Sequence, residues 1–128
     1  MEPLMPANRR FRRYEHLRRS AEFRRVYDRR RSFADQRLVV YACENGLDYT
    51  RIGLSVSRKY GSAVRRNRLR RLYREAFRAT RAELPVGLDL ILIPKGSVEP
   101  ALLDLCESLR QLVAQASRKL GIDARNPS

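Results

Sequence analysis

The residues best placed to do chemistry form one run, Arg58-Lys59-Tyr60-Gly61-Ser62-Ala63-Val64-Arg65-Arg66-Asn67-Arg68-Leu69-Arg70-Arg71. Leu69, Leu72, Tyr73, Ala76, Phe77 and Thr80 follow at i, i+3, i+4, i+7, i+8 and i+11. That spacing predicts an amphipathic helix over about 62–83, capped by Ser62 or a neighbour and stopped by Pro85 and Gly87. A helix N-terminus carries positive partial charge and unpaired N–H groups. Arg65, Arg66 and Arg68 there oppose the isolated helix, and favour it once a phosphate occupies that end. Arg70, Arg74, Arg78 and Arg81 line the flank beside the apolar stripe, with Glu75 the one acid among them. A merely solvated face mixes its signs; this one is built for a polyanion.

Aromatic residues supply the second kind of chemistry. Phe23 and Tyr27 are four apart in an arginine-rich stretch and share one helix face. Tyr41 falls, by strand alternation, on the same sheet face as Ser55 and Ser57. If the first helix packs near that face, aromatics, hydroxyls and guanidinium groups line one groove. Single-stranded RNA is held in this way, bases on aromatic planes and phosphates on cations. Ordinary core packing of Phe23 and Tyr27 accounts for the same spacing.

Other chemistries find no constellation. His16 is the only histidine, and its place in the sequence makes it a surface residue of a basic arm. Cys43 and Cys106 lie far apart with no CxxC, so they read as two reduced thiols rather than zinc ligands. No carboxylate cluster for metal-assisted phosphodiester cleavage is visible.

Net charge gives these motifs their context. The 128 residues hold 28 Lys plus Arg against 14 Asp plus Glu, a net of +14, and only three of the cations are Lys. Arg forks onto phosphate and stacks on bases, whereas Lys is a point charge. Codon bias would account for Arg over Lys but not for the net charge. The charge is also clustered: residues 9–31 carry a net of +8 and residues 58–81 a net of +9, while residues 82–128 carry −1. Two blocks therefore carry the field, and the last third is an ordinary structural remainder. No apolar run nears the roughly 18 residues of a membrane span, and no signal-peptide apolar core opens the chain. The expectation is a cytoplasmic protein with no membrane association.

The elements that must position these residues follow from periodicity. Residues 1–16 read as a flexible basic arm, 17–121 as one domain and 122–128 as a frayed tail. Ser20 predicts an N-cap for a helix over about 20–30. Residues 36–44 alternate as a strand, with Leu38, Val40 and Ala42 on one face and Val39, Tyr41 and Cys43 on the other. Asn45-Gly46 signals a turn. A second strand over about 50–58 sets Ile52, Leu54 and Val56 against a small polar face of Gly53, Ser55 and Ser57. Residues 88–94 are nearly all apolar and predict a strand covered on both faces. A last helix starts near Pro100 and runs on Leu102, Leu105, Cys106, Leu109, Leu112, Val113, Ala116 and Leu120 to a Gly121 cap. Helix, strand, strand, helix, strand, helix makes an α/β sandwich around one sheet.

From about Leu17 to Lys119 the chain resembles the protein subunit of bacterial ribonuclease P. The resemblance rests on Gly53-Leu54-Ser55-Val56-Ser57-Arg58-Lys59, Gly61, Ala63-Val64-Arg65-Arg66-Asn67-Arg68, Arg70-Arg71 and Arg74-Glu75-Ala76-Phe77-Arg78. One departure is Asp28-Arg29-Arg30-Arg31, where members of that family commonly carry a Gly. The resemblance implies an α+β two-layer sandwich like a ribosomal-protein domain, with a left-handed βαβ crossover and four strands. The fourth would lie in 31–37 or near 45–51. It implies removal of the 5′ leader from precursor tRNA, with catalysis by an RNA subunit and its bound Mg²⁺, and no protein partner.

Carried onto this sequence, the resemblance gives Phe23, Tyr27 and Tyr41 to the single-stranded leader, with Ser55, Ser57, Arg58 and Lys59 lining the cleft. It turns Arg65, Arg66, Asn67, Arg68, Arg70, Arg71 and Arg74 toward the catalytic RNA or the substrate. The rival readings are a structural ribosomal-type or chaperone RNA-binding protein, a protein nuclease, and a DNA-binding helix-turn-helix. The missing carboxylate cluster argues against the nuclease. The lack of a short helix before the long basic one argues against the last.

Overall fold

The computed structural model describes residues 15–121; the arm up to residue 14 and the tail from residue 122 lie outside the described residues. The order is α1 (Ser20–Asp28), β1 (Ser32–Ala34), β2 (Leu38–Glu44), β3 (Arg51–Leu54), α2 (Ala63–Thr80), β4 (Leu88–Pro94) and α3 (Leu102–Leu120). The four strands form one mixed sheet in the order β1-β2-β4-β3. β4 runs antiparallel to β2 and parallel to β3, so α2 is the crossover between two neighbouring parallel strands. This is the α+β two-layer architecture the sequence implies.

The two sheet faces follow the alternation. Leu38, Val40 and Ala42 of β2 join Ile52, Leu88, Leu90 and Leu92 on one face. There they meet Leu69, Tyr73, Ala76 and Phe77 from α2 and Leu105, Leu109, Leu112, Val113 and Ala116 from α3, nearly all fully buried. The opposite face carries Cys43 and Ile91, covered by Leu17 and by Val26 of α1, with Phe23, Tyr27, Tyr41 and Ile93 packed at its margin. Registers align two rows across this second face: Tyr41–Ile91–Gly53, and beside it Cys43–Asp89–Arg51.

Several boundaries differ from the sequence reading, each for a local reason. α1 is capped at Arg19 rather than Ser20, because Glu22 reaches back to accept the N–H groups of Arg18 at 2.8 Å and Arg19 at 3.0 Å. It ends at Asp28 because Arg30 turns left-handed at φ +57°, a conformation glycine adopts without cost. The Asp35 carboxylate accepts the N–H groups of Arg37 and Leu38, so residues 36 and 37 form a turn and β2 begins at Leu38. The fourth strand is β1, within 31–37, and residues 45–50 are a loop. β3 ends at Leu54 because Ser57 caps a 3₁₀ turn over Arg58–Tyr60, its hydroxyl accepting the Lys59 N–H at 3.1 Å. Ser62 caps α2 by accepting the Arg65 N–H. The helix tightens into a 3₁₀ turn at Arg81–Glu83.

Glu15 and His16 pack against the domain instead of belonging to an arm. Glu15 is buried and ion-paired with Arg81. His16 bridges to Ile52, and Leu17 donates its N–H to the Ile52 carbonyl at 2.8 Å, which extends the open edge of β3.

Candidate RNA interface

α1 lies across the second sheet face with its aromatics down. Phe23 closes on Gly53: a Cβ built there would stand 2.4 Å from the Phe23 Cζ and 3.2 Å from the Leu17 Cβ. Glycine therefore lets the ring lie flush on the strand. The sequence reading left Gly53 on an open polar face; Phe23 covers it, and Gly53 is buried. One turn on, Tyr27 meets Tyr41 edge to face, ring centroids 4.9 Å apart. Both rings are half-buried, so each packs and still presents a face.

A buried ionic cluster that the sequence reading missed holds α1 in this position. Asp89 is fully buried near the start of β4. Its Oδ1 accepts from Asn45 Nδ2 at 2.9 Å and from Arg51 Nε at 2.9 Å. Its Oδ2 accepts from Arg51 Nη2 at 2.7 Å and from Arg25 of α1. Arg25 also donates to the Glu44 carbonyl, and Arg51 reaches Glu22 at 3.2 Å. The available signal was a lone acid in an apolar strand, which has to be paired to be buried.

Beside Phe23 a cleft opens between β3 and α2, lined by His16, Leu17, Phe23, Ile52, Gly53, Leu54, Arg70 and Arg74. Arg70 and Arg74 project into it one turn apart, and Asn67 Oδ1 holds Arg70 Nη1 at 2.7 Å. Ser55, next in the chain after Leu54, is half-buried, its N–H donated to the Leu92 carbonyl. Ser57, Arg58 and Lys59 are exposed on the following turn. Lys59 and Arg65 line a separate groove with Tyr60, Gly96 and Ser97, the Lys59 ammonium 5.3 Å from the Tyr60 ring centre. Of the cleft residues named from sequence, Phe23 lines the first groove and Lys59 the second, while Tyr27, Tyr41, Ser55, Ser57 and Arg58 line neither.

The α2 residues named from sequence spread along its outer side. Arg65, Asn67, Arg68, Arg71 and Arg74 are exposed, and the first turn holds no acid. Arg66 is half-buried, and its Nε makes no hydrogen bond. Farther along, the flank is partly neutralised internally, since Arg78 pairs with Glu75 and Arg81 with Glu15. In the N-terminal half Arg68 lies 3.6 Å from Glu99, but no acid stands in the first turn of the helix, so positive charge is densest there, next to the aromatic cleft. Among the described residues no three His, Cys, Asp or Glu side chains gather as metal ligands, and no helix is long and apolar enough to cross a membrane.

The family described as Ribonuclease P matches this chain over residues 11–117. The chain belongs to the ribonuclease P protein family. It is 41% identical over 105 residues to the ribonuclease P protein component of Clostridioides difficile, spanning 80% of this chain and 92% of that one. The ribonuclease P protein component of Thermotoga maritima is 41% identical over 85 residues, or 66% of this chain and 73% of its own. Solved structures agree. The ribonuclease P protein of Thermotoga maritima superposes with a TM-score of 0.72 at 33% identity, covering 79% of this chain and 96% of that one. That of Staphylococcus aureus superposes with a TM-score of 0.69 at 33% identity, covering 80% and 94%. A ribonuclease P protein works as part of a tRNA-processing ribonuclease, so the basic cleft belongs to a chain whose family role is in RNA maturation.

Proposed function

We propose that this chain is the protein subunit of a ribonuclease P ribonucleoprotein that removes the 5′ leader of precursor tRNA by endonucleolytic cleavage. In this reading the RNA subunit and its bound Mg²⁺ carry the chemistry, and the protein binds. Phe23, Tyr27 and Tyr41 take the bases of the single-stranded leader. Arg70 and Arg74 take its phosphates, with Ser55 beside them as a further leader contact. Ser57, Arg58 and Lys59 continue the surface toward Arg65. Arg65, Arg66, Asn67, Arg68 and Arg71 meet the catalytic RNA or the substrate near the cleavage site. No protein partner is required, and the assembly works in the cytoplasm.

The observation that carries the reading is the junction of Phe23, seated on Gly53, with Arg70 and Arg74 in one cleft. It puts an aromatic platform beside a cation pair, the two contacts a single strand needs. The protein's physical contribution is neutralisation of RNA–RNA repulsion, which matters most at low Mg²⁺, where the RNA is least screened.

The test is cleavage of a precursor tRNA bearing a 5′ leader at low Mg²⁺, by the protein alone, by a bacterial ribonuclease P RNA alone, and by both. Cleavage at the mature 5′ end only with both is the expected result. Cleavage by the protein alone would make it a nuclease. Tight RNA binding without stimulation would leave a structural or chaperone RNA-binding protein.

A further inference from the structure

His16 is the sole histidine of the chain, and it sits in the cleft rather than on an arm. Backbone pairing fixes it there, through the His16–Ile52 bridge and the adjoining Leu17-to-Ile52 hydrogen bond. Across the cleft stand Arg70 and Arg74 of α2, and along its floor Phe23, Gly53 and Leu54. We propose that His16 is a direct contact for an RNA phosphodiester in this cleft, the third member of a cationic trio with Arg70 and Arg74, and that it takes up a proton as the phosphate arrives.

This inference rests on the leader-binding reading above and adds to it a residue and a linked equilibrium. The charged groups facing the imidazole account for the linkage. α2 presents Arg70 and Arg74, and the segment around His16 presents Arg18. Glu15, next to it, is paired with Arg81. β3 offers only Ile52, Gly53 and Leu54, and α1 offers Phe23. Burial, then Arg74 and Arg18, hold the imidazole below its ordinary histidine value, so the free protein keeps it neutral at pH 7. A phosphodiester brings one negative charge against the two arginines, offsetting their share of that neutrality while burial remains, and it favours the imidazolium directly. The bound form then holds the proton more tightly than the free form. Affinity therefore rises as pH falls between the bound-state and free-state values, by up to about tenfold for each unit that separates them.

Having one histidine makes the test direct. The His16 C2 proton is a single resonance in the NMR spectrum of the full chain, and it titrates without assignment ambiguity. The probe is a short oligouridylate lacking terminal phosphates, so that nothing in the RNA titrates between about pH 6 and pH 8. The expected result is an upward shift of the His16 midpoint in the complex, with affinity of the parent protein rising as pH falls and that of His16→Gln flat with pH. The Phe23, Tyr27 and Tyr41 ring protons separate the two readings. Ring shifts with an unmoved His16 midpoint overturn the His16 contact and leave the cleft as the leader site. Absence of any ring shift overturns the leader site itself. A pH dependence unchanged in His16→Gln also overturns the His16 proposal.

Discussion

Arg51 grips Asp89 through two parallel hydrogen bonds, Nε to Oδ1 at 2.9 Å and Nη2 to Oδ2 at 2.7 Å, on the sheet face that α1 covers. The residues are register neighbours on β3 and β4, so the pair spans the parallel seam of the sheet. Arg25 and Asn45 complete the shell, and all four hydrogen bonds are donated to one carboxylate. The site thus requires a group that only accepts, and α1 is fastened to the sheet through it.

Asp89→Asn puts an amide donor into this ring of donors. The expected cost is about 3 kcal/mol, the low end for severing a buried pair, because Arg25 is 44% exposed and can regain water. Urea unfolding of the variant and parent reads this directly. A loss under about 0.5 kcal/mol, the range of an ordinary surface change, would show that Asp89 does not anchor α1.

Gly53→Ala drives a methyl group into the Phe23 ring. The expected stability loss is about 1–3 kcal/mol, the scale of an overpacked core. Because the displaced ring leaves the cleft, binding of a short single-stranded RNA also weakens. Adding Phe23→Ala gives the methyl room, so the double variant is more stable than the two single losses predict. Simple additivity in the double-mutant cycle would mean that the contact does not set the ring's position.

The Glu22 carboxylate is held below its usual value, first by the N–H groups it accepts from Arg19 and Arg18, and then by Arg51. Its depressed folded value means that the stabilisation is complete above the unfolded value near 4.5 and is lost as pH falls through the lower folded one. Glu22→Gln therefore unfolds more readily than the parent above that window, and the gap narrows in acid. Thermal melts from about pH 3 to pH 6 measure it. A gap that widens toward low pH would reverse the assignment.

Tyr41→Ala removes one side of the Tyr27 edge contact and one stacking plane. Affinity for leader-bearing precursor tRNA is expected to fall by the usual stacking increment, about 1–3 kcal/mol, with mature tRNA little changed. Equal losses for both RNAs would take Tyr41 out of the leader site.

Arg66→Ala leaves the apolar stripe of α2 intact and removes a guanidinium with an unpartnered Nε. Assembly with the catalytic RNA is expected to weaken, and the slope of log affinity against log salt to become shallower by about 0.7–0.9 for the lost phosphate contact. Unchanged assembly and an unchanged slope would place the catalytic RNA elsewhere.

Periodicity made most of the frame legible. Leu69, Tyr73, Ala76, Phe77 and Thr80 repeat often enough to define both α2 and its buried face, and the alternation of Leu38, Val40 and Ala42 against Tyr41 and Cys43 assigned both faces of β2. β1 was hidden because Ser32–Ala34 is too short to show a period. The end of β3 was misjudged because Ser55 and Ser57 continue the alternation while Ser57 is already capping a turn. Long-range chemistry was least visible. Nothing local joins Asp89 to Arg25, or Gly53 to Phe23, and His16 reaches the cleft only because its backbone extends the edge of β3.

One of the two inner strands of the sheet, β4, is also the last strand synthesised. β2 and β3 do not pair with each other; each pairs with β4, which ends at Pro94. The row Tyr41–Ile91–Gly53 is therefore incomplete, and α1 has no Asp89 to hold, until more than two-thirds of the chain has left the ribosome. The arginine-rich segments emerge before the scaffold that gives them a shape, so a nascent or truncated chain carries the charge without the cleft. On the proposed function, selectivity for one RNA over another is then a property of the completed chain, acquired in the same step that closes the sheet.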